Sequence, residues 1–344
     1  MCCALPGRLL NHLADTAGDD QQRDMLRAQV RQTQALRGER SAKSTHAVQP
    51  RNATKPLQRS VFDAQGRTFL PGKLLRDEGE PPVRDVSADK VYENVGHALR
   101  FFFEVFDRDS IDDKGMRVDA SVHYDFQFRN AMWTGEQMVV GDGDATVRGL
   151  SGSLGLIAHE FCHGVSQHMV AGGLGVVRVR GALPQLQGEA GALNESFSDV
   201  FASMIKQWHL KQSAEAADWL LGEDVLAPHA GKAVRSMKEP GNRDLTYPAD
   251  DQISDFRRYR SNDDVHKASG IPNHAFYIAA TDLGGRAWET LGPVWYQAFG
   301  SLRARASFLD AAHACIAVAA AQQGKDSATH KAVKDAWKRV NVLA

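Results

Sequence analysis

The pattern that most constrains this chain is His159-Glu160-Phe161-Cys162-His163, which follows the apolar run Leu154, Leu156, Ile157 and Ala158. Four residues of helix rise ~6 Å and turn slightly past a full circle, so both imidazoles leave one face. That geometry suits two corners of a tetrahedral zinc site. Glu160 stands next to the first histidine, near enough to accept a proton from metal-bound water without ligating the metal. A match of this length also arises by chance, so the metal reading needs a further ligand. Glu195 and Asp199 lie four apart in Asn194-Glu195-Ser196-Phe197-Ser198-Asp199 and share a helix face. Glu195 is the candidate third ligand, and Asp199 then accepts the second ring N–H of a ligating imidazole. The plain alternative is an acidic helix start with Asn194 and Ser196 near a cap.

A chain of 344 residues is long enough for two core-bearing lobes and an extension. Its 41 basic and 42 acidic residues leave a formal charge of −1, so no basic field exists to hold nucleic acid or an anionic membrane. No apolar run approaches the ~18 residues that would span a bilayer. Cys2, Cys3, Cys162 and Cys315 are too few and too scattered for a disulfide framework. Cys162 reads as a small core residue on the metal helix, facing away from zinc. The first residues lack a basic segment followed by an apolar one. That predicts a chain cytoplasmic as synthesised, with an unconventional export route left open.

Along the chain, residues 1–57 combine helically spaced Leu9, Leu10, Leu13, Leu26 and Val30 with long polar stretches, and on composition read as a plain solvated arm or a loosely held, cleavable one. Val61-Phe62 and Thr68-Phe69-Leu70 flank a turn at Asp63 to Gly66, which predicts a hairpin. Residues 89–106 carry a helical apolar stripe, 118–124 alternate as a strand, 130–135 read as a turn and 136–140 as another strand. After residue 155 the pattern turns helical, over 155–170, 189–210, a tract around 213–221, 268–283, 287–300, 306–322 and 326–340. Strands first and helices later predict an α+β lobe followed by a mainly helical lobe. The metal helix sits at their junction. The expected division is 1–57 for the arm, 58–170 for the first lobe and 171–344 for the second.

These residues together resemble the thermolysin-like (M4) neutral zinc metallopeptidases. The resemblance rests on His159 to Val165 and Gly191 to Asp199. It continues through Ser121 to Tyr124, Asn130 to Trp133, Gly141 to Asp144, Ala233 to Met237 and Val265 to Ile271. The start, Cys3-Ala4-Leu5-Pro6 through Leu9-Leu10, resembles the short propeptide of the protealysin-like subgroup. The resemblance implies a two-lobe fold with one Zn2+ held by His159, His163 and Glu195. It further implies Glu160 as general base, His266 as donor to the oxyanion, and Asn194 and Asp199 as partners of the two histidines. Arg235 would hold the substrate carbonyl beyond the scissile bond, with Asn130 and Ala131 pairing with substrate backbone. Leu150, Leu156, Leu221 and Val234 would form an apolar pocket for the residue after the cut.

The implied protein is a zymogen and zinc endopeptidase that cleaves before bulky apolar residues. Its partners are peptide or protein substrates and its own propeptide, and it acts as a monomer. The alternative is a zinc-bound, catalytically weak protein whose cleft binds peptides or a partner; a structural zinc protein with a closed fourth position is the other rival.

Four departures from the family pattern bear on these expectations. His163 and Glu195 are 32 residues apart, wider than usual, and the excess at 173–184 reads as a hairpin or flap beside the cleft. A tyrosine that assists the oxyanion histidine is replaced by Leu186, which predicts slower turnover or a shifted substrate geometry. The carboxylate that orients that histidine falls at Ser261, leaving Asp263 or Asp264 as substitutes. The double-calcium site of the family falls at Gly155, Lys206 and Leu220, with only Asp218 and Glu223 remaining. That predicts no calcium there, with Lys206 supplying the positive charge. Cys2 and Cys3 are candidate thiolate caps on the zinc of a latent form.

Overall fold

The computed structural model describes residues 4–43, 57–177 and 185–344. The arm forms α1 (Gly7–Asp15) and α2 (Asp20–Lys43), packed on each other. It is held more firmly than its polar composition suggests, because α1 turns Leu9, Leu10, Leu13 and Ala14 inward and Leu26 of α2 joins them in the core. Gln29 and Gln32 of α2 also donate to Gln127 O and Asp125 Oδ2, at 2.7 and 2.9 Å. The arm's expected cleavage zone and the two N-terminal cysteines fall largely or wholly outside the described residues.

The first lobe is built on β1 (Arg59–Asp63), β2 (Lys73–Arg76), α3 (Val86–Phe106), β3 (Val118–Val122), β4 (Ala131–Trp133) and β5 (Met138–Val140). The five strands form one mixed sheet in the order β2-β1-β3-β5-β4. The parallel β1–β3 pair brackets α3, which covers the sheet with Val91, Val95, Ala98, Leu99 and Phe102. Asp85 caps α3 by accepting from Ala88 N at 3.0 Å. The predicted hairpin is wider than its turn signal. Gly66 does take positive φ, but β1 pairs with residues 73–76, beyond Pro71-Gly72, and not with 68–70. Residues 131–133 form β4 and not part of a turn, paired antiparallel with β5.

The metal helix α4 (Leu154–Met169) starts at Ser153, whose hydroxyl accepts from Leu156 N. Every residue from Gly155 to Ser166 is buried. Gly164 is required there, since a Cβ would lie 2.9 Å from Ile111 Cδ1 and 3.3 Å from Trp133. Next come β6 (Val176–Val177) and β7 (Gln185–Leu186), which pair antiparallel as the base of the expected flap; its tip lies outside the described residues. Helix α5 (Gly188–Leu210) then packs along α4. Phe102 of α3, Phe161 of α4 and Phe201 of α5 lock the three helices, with ring centroids 5.7 Å apart in both pairs. Truncating such a ring costs about 3–5 kcal/mol.

The tract at 213–221 is not a helix. It consists of turns followed by β8 (Leu220–Leu221), which pairs with β9 (Arg235–Ser236). The remaining second lobe is helical, with α6 (Val265–Ala268), α7 (Gly270–Leu283), α8 (Ala287–Gly300), α9 (Phe308–Gln323) and α10 (Ala328–Arg339). A capping box between Ser307 and Asp310 starts α9. The architecture is α+β, a sheet-bearing lobe and a helical lobe with α4 at their junction.

Candidate active site

Helices α4 and α5 bring His159, His163 and Glu195 together, all essentially buried. The two Nε2 atoms are 3.0 Å apart, and the Glu195 oxygens lie 3.6 Å from His159 Nε2 and 3.5 Å from His163 Nε2. A tetrahedral ion with bonds of ~2.0–2.1 Å separates its donors by ~3.3–3.4 Å, so the triad fits zinc. Among the described residues, this is the one group of histidine, cysteine and carboxylate side chains gathered closely enough for a metal.

Each imidazole is gripped at its other nitrogen. His159 Nδ1 lies 2.8 Å from Asp199 Oδ1, and His163 Nδ1 is 2.8 Å from Asn194 Oδ1. Ser198 Oγ, 3.0 Å from His163 Nδ1, is a contact that sequence reasoning missed, although it stands on the same helix turn as Asn194. Burial disfavours charge on His159, but the Asp199 carboxylate outweighs it and raises the ring to about 9 in the metal-free chain. Burial would push Glu195 up, yet the surrounding histidines hold it well below the usual carboxylate range. A metal held there would meet an ionised carboxylate and would compete with the proton on the His159 ring. Burial drives the Cys162 thiol well up, in keeping with an inert core side chain.

Glu160 is fully buried, and its Oε2 accepts from Trp133 N at 2.6 Å. That bond ties the carboxylate to β4, whose first residue, Ala131, and the preceding Asn130 bond to the arm. Ala4 N donates to Ala131 O at 3.0 Å, Leu5 N donates to Asn130 Oδ1 at 2.9 Å, and Asn130 Nδ2 donates to Leu5 O at 3.2 Å. Arg235 Nη1 donates to Ala4 O at 3.1 Å. The three residues expected to hold a substrate backbone thus hold the chain's own Ala4-Leu5. Arg235 is fixed in turn by Asp199, whose Oδ1 lies 3.1 Å from Nε and 2.9 Å from Nη2. Asn273 donates to the other Asp199 oxygen at 2.8 Å. Neither partner was visible in the sequence, because both lie on elements remote from α5.

His266 closes the metal side of the cleft, with Nε2 3.9 Å from Glu195 Oε2. The expected pocket residues Leu150, Leu156, Leu221 and Val234 are all buried. Val234 and Leu156 both crowd Gly222, and Leu221 packs against Gly155. Leu186 joins Val265 and Val176 in a small apolar cluster beside His266. Lys206 Nζ, expected to supply positive charge at the family's double-calcium position, meets both Asp218 oxygens at 2.9–3.0 Å, with Glu223 also bonded to it.

Comparison with known proteins gives a consistent answer. A family profile described as thermolysin metallopeptidase, catalytic domain, matches residues 20–167, and one described as thermolysin metallopeptidase, alpha-helical domain, matches 184–342. Protease PrtS of Photorhabdus sp. (strain Az29) is 40% identical over 298 residues, covering 83% of this chain and 76% of its own length. An extracellular metalloprotease of Pectobacterium carotovorum subsp. carotovorum is 37% identical over 308 residues, covering 86% and 83%. The precursor of protealysin, a metalloproteinase from Serratia proteamaculans, aligns over 100% of both chains with a TM-score of 0.84 and 35% identity. These names correct the cytoplasmic expectation, since a relative similar over most of the chain is called extracellular, which points to secretion.

Proposed function

This chain belongs to the thermolysin metallopeptidase family, and we propose that it cleaves peptide bonds before bulky apolar residues, with Glu160 as base and His266 as oxyanion donor. It is a zinc metalloendopeptidase made as a precursor. The observation that carries the proposal is the seat of Ala4-Leu5. A polypeptide backbone lies between Ala131 O, Asn130 and Arg235, next to the metal triad.

Zinc, when bound by His159, His163 and Glu195, polarises a carbonyl and lowers the pKa of water from 15.7 towards ~7. Glu160 would accept a proton from the attacking water and pass it to the leaving amine. Trp133 N keeps the carboxylate aimed. His266 donates to the oxyanion, and one such donor typically contributes ~3–4 kcal/mol. Arg235 holds the next carbonyl, while Asn130 and Ala131 keep the strand in register. Leu150, Leu156, Leu221 and Val234 receive the side chain after the cut. The replacement of a hydroxyl donor by Leu186 slows turnover relative to proteases that keep it.

In this register Ala4 takes the place of the residue that follows the cut, so the arm (1–57) blocks the cleft between the lobes at 58–170 and 171–344. The processed enzyme acts as a monomer and takes no calcium at the position filled by Lys206. The test follows the mass of the zinc-loaded precursor and cleavage of a quenched peptide with an internal Phe or Leu. Arm loss with peptide cleavage is expected, both abolished by chelator and by Glu160→Ala. Stoichiometric zinc without cleavage, even after another protease trims the arm, would refute the reading.

A further inference from the structure

We propose that Asp264 is the positioning residue of His266, taking over from a loop position, Ser261, that carries no charge; this rests on the role given to His266 above. One oxygen, Asp264 Oδ1, receives both the backbone N–H of His266 at 2.9 Å and its ring Nδ1 at 2.7 Å. The two bonds share an acceptor two residues back, so they fix the backbone and the ring torsion together. The carboxylate accepts the N–H of Nδ1, and the N–H that reaches the oxyanion is the one on Nε2, so the donating ring carries both. The opposite nitrogen, Nε2, then faces the metal triad.

The surroundings single out Asp264 over its neighbour. Asp263 is already engaged, with Oδ1 2.6 Å from Lys267 Nζ and Oδ2 accepting from Arg260 N at 2.7 Å. It fastens the loop, leaving Asp264 to hold the ring. The His266 carbonyl is pinned separately by Gln252 Nε2 at 2.8 Å and Ser269 Oγ at 2.9 Å. On the apolar side, Val265 packs against Leu186 where a hydroxyl donor is missing. The Asp264 side chain is 64% exposed while that of His266 is 4% exposed. A pair with one partner in water adds little to folding. The effect of Asp264 therefore falls on the orientation of the imidazole and registers in turnover, with little effect on melting temperature.

The test is a double-mutant cycle on the processed enzyme with Asp264→Ala, His266→Ala and the double variant. Each is assayed for kcat and KM on the quenched peptide, with zinc content and melting temperature measured alongside. Asp264→Ala should lower kcat about 10–100-fold with KM within about twofold, as for other groups that orient a functional imidazole. It should slow the His266→Ala background no further. Asp264→Asn keeps a neutral acceptor for both donors and should recover part of the loss. In the zinc-free precursor, the downfield His266 Nδ1–H proton resonance should disappear in Asp264→Ala, a readout that needs no catalysis. An Asp264→Ala variant with unchanged kcat, or one that slows the His266→Ala enzyme by the same factor, would overturn the proposal. A fully active His266→Ala enzyme would instead sink the oxyanion reading beneath it, and the proposal with it.

Discussion

Replacing Leu5 by Ala tests how the arm holds the cleft. Leu5 is fully buried 125 residues away from its hydrogen-bond partner Asn130, so its side chain contributes to docking and not to a local turn. The substitution keeps all four backbone-directed bonds to Ala131, Asn130 and Arg235 and removes only hydrocarbon. Three carbons at ~0.8 kcal/mol each give ~2.4 kcal/mol, and the cavity left behind widens the range to about 2–5 kcal/mol. At ~1.4 kcal/mol per tenfold, the open fraction of the precursor rises by roughly 30- to 4,000-fold. The assay is the initial rate on a short quenched peptide, taken while mass spectrometry shows the arm still attached. Leu5→Ala should be faster than the parent precursor by that factor and should lose its arm sooner. Equal rates for the two unprocessed chains, with the variant folded, would show that the Ala4-Leu5 seat does not gate the cleft.

Glu160→Ala should retain stoichiometric zinc by metal analysis, while kcat falls by about 10²–10⁴. Arg235→Met strands the buried Asp199 carboxylate and should cost about 3–5 kcal/mol, read as a melting-temperature drop of roughly 10 °C. His123 lies between Asp85 and Asp142, at 3.0 and 2.8 Å. Burial works against its charge, but the two carboxylates prevail and raise its pKa above 6.5. The stabilisation is therefore complete below the unfolded value of about 6.5 and fades as pH rises through the folded value. The melting-temperature deficit of His123→Asn should accordingly be largest near about pH 5.5 and shrink on the alkaline side.

The metal ligands were legible because their chemistry is local. Helical spacing alone puts His159 beside His163, and Glu195 beside Asp199. Asp264 was legible only as one of two candidates, since choosing it over Asp263 needs the positions of Lys267 and Arg260. The tract at 213–221 misled because Ala214, Glu215, Ala216 and Ala217 favour helix individually. Tertiary structure overrides them. Trp219 adopts positive φ and its indole donates to Ala214 O at 2.8 Å, while Leu221 pairs with Arg235 across the β8–β9 ladder. Residues 131–133 escaped for a related reason, because a three-residue strand is defined by its partner and not by periodicity. Composition likewise hid the arm's docking, since three leucines in one nine-residue amphipathic helix are few enough to look polar on average.

Asp199 shows why this site tolerates departures at its edge but not at its centre. The same carboxylate oxygen lies within 2.8 Å of His159 Nδ1 and 2.9 Å of Arg235 Nη2. Burial would raise its pKa, and Arg235 and His159 together hold it below the usual carboxylate range. One buried charge thus orients a zinc ligand on one side and fixes Arg235 on the other. Arg235 in turn holds Ala4 O in the precursor. On the role proposed for Arg235, the same contact would present it to a substrate carbonyl once the arm is removed. Leu186 and the loop before His266 touch only one arm of this arrangement. On the proposed roles they bear on His266 alone, and the contacts of Asp199 with His159 and Arg235 are separate from them.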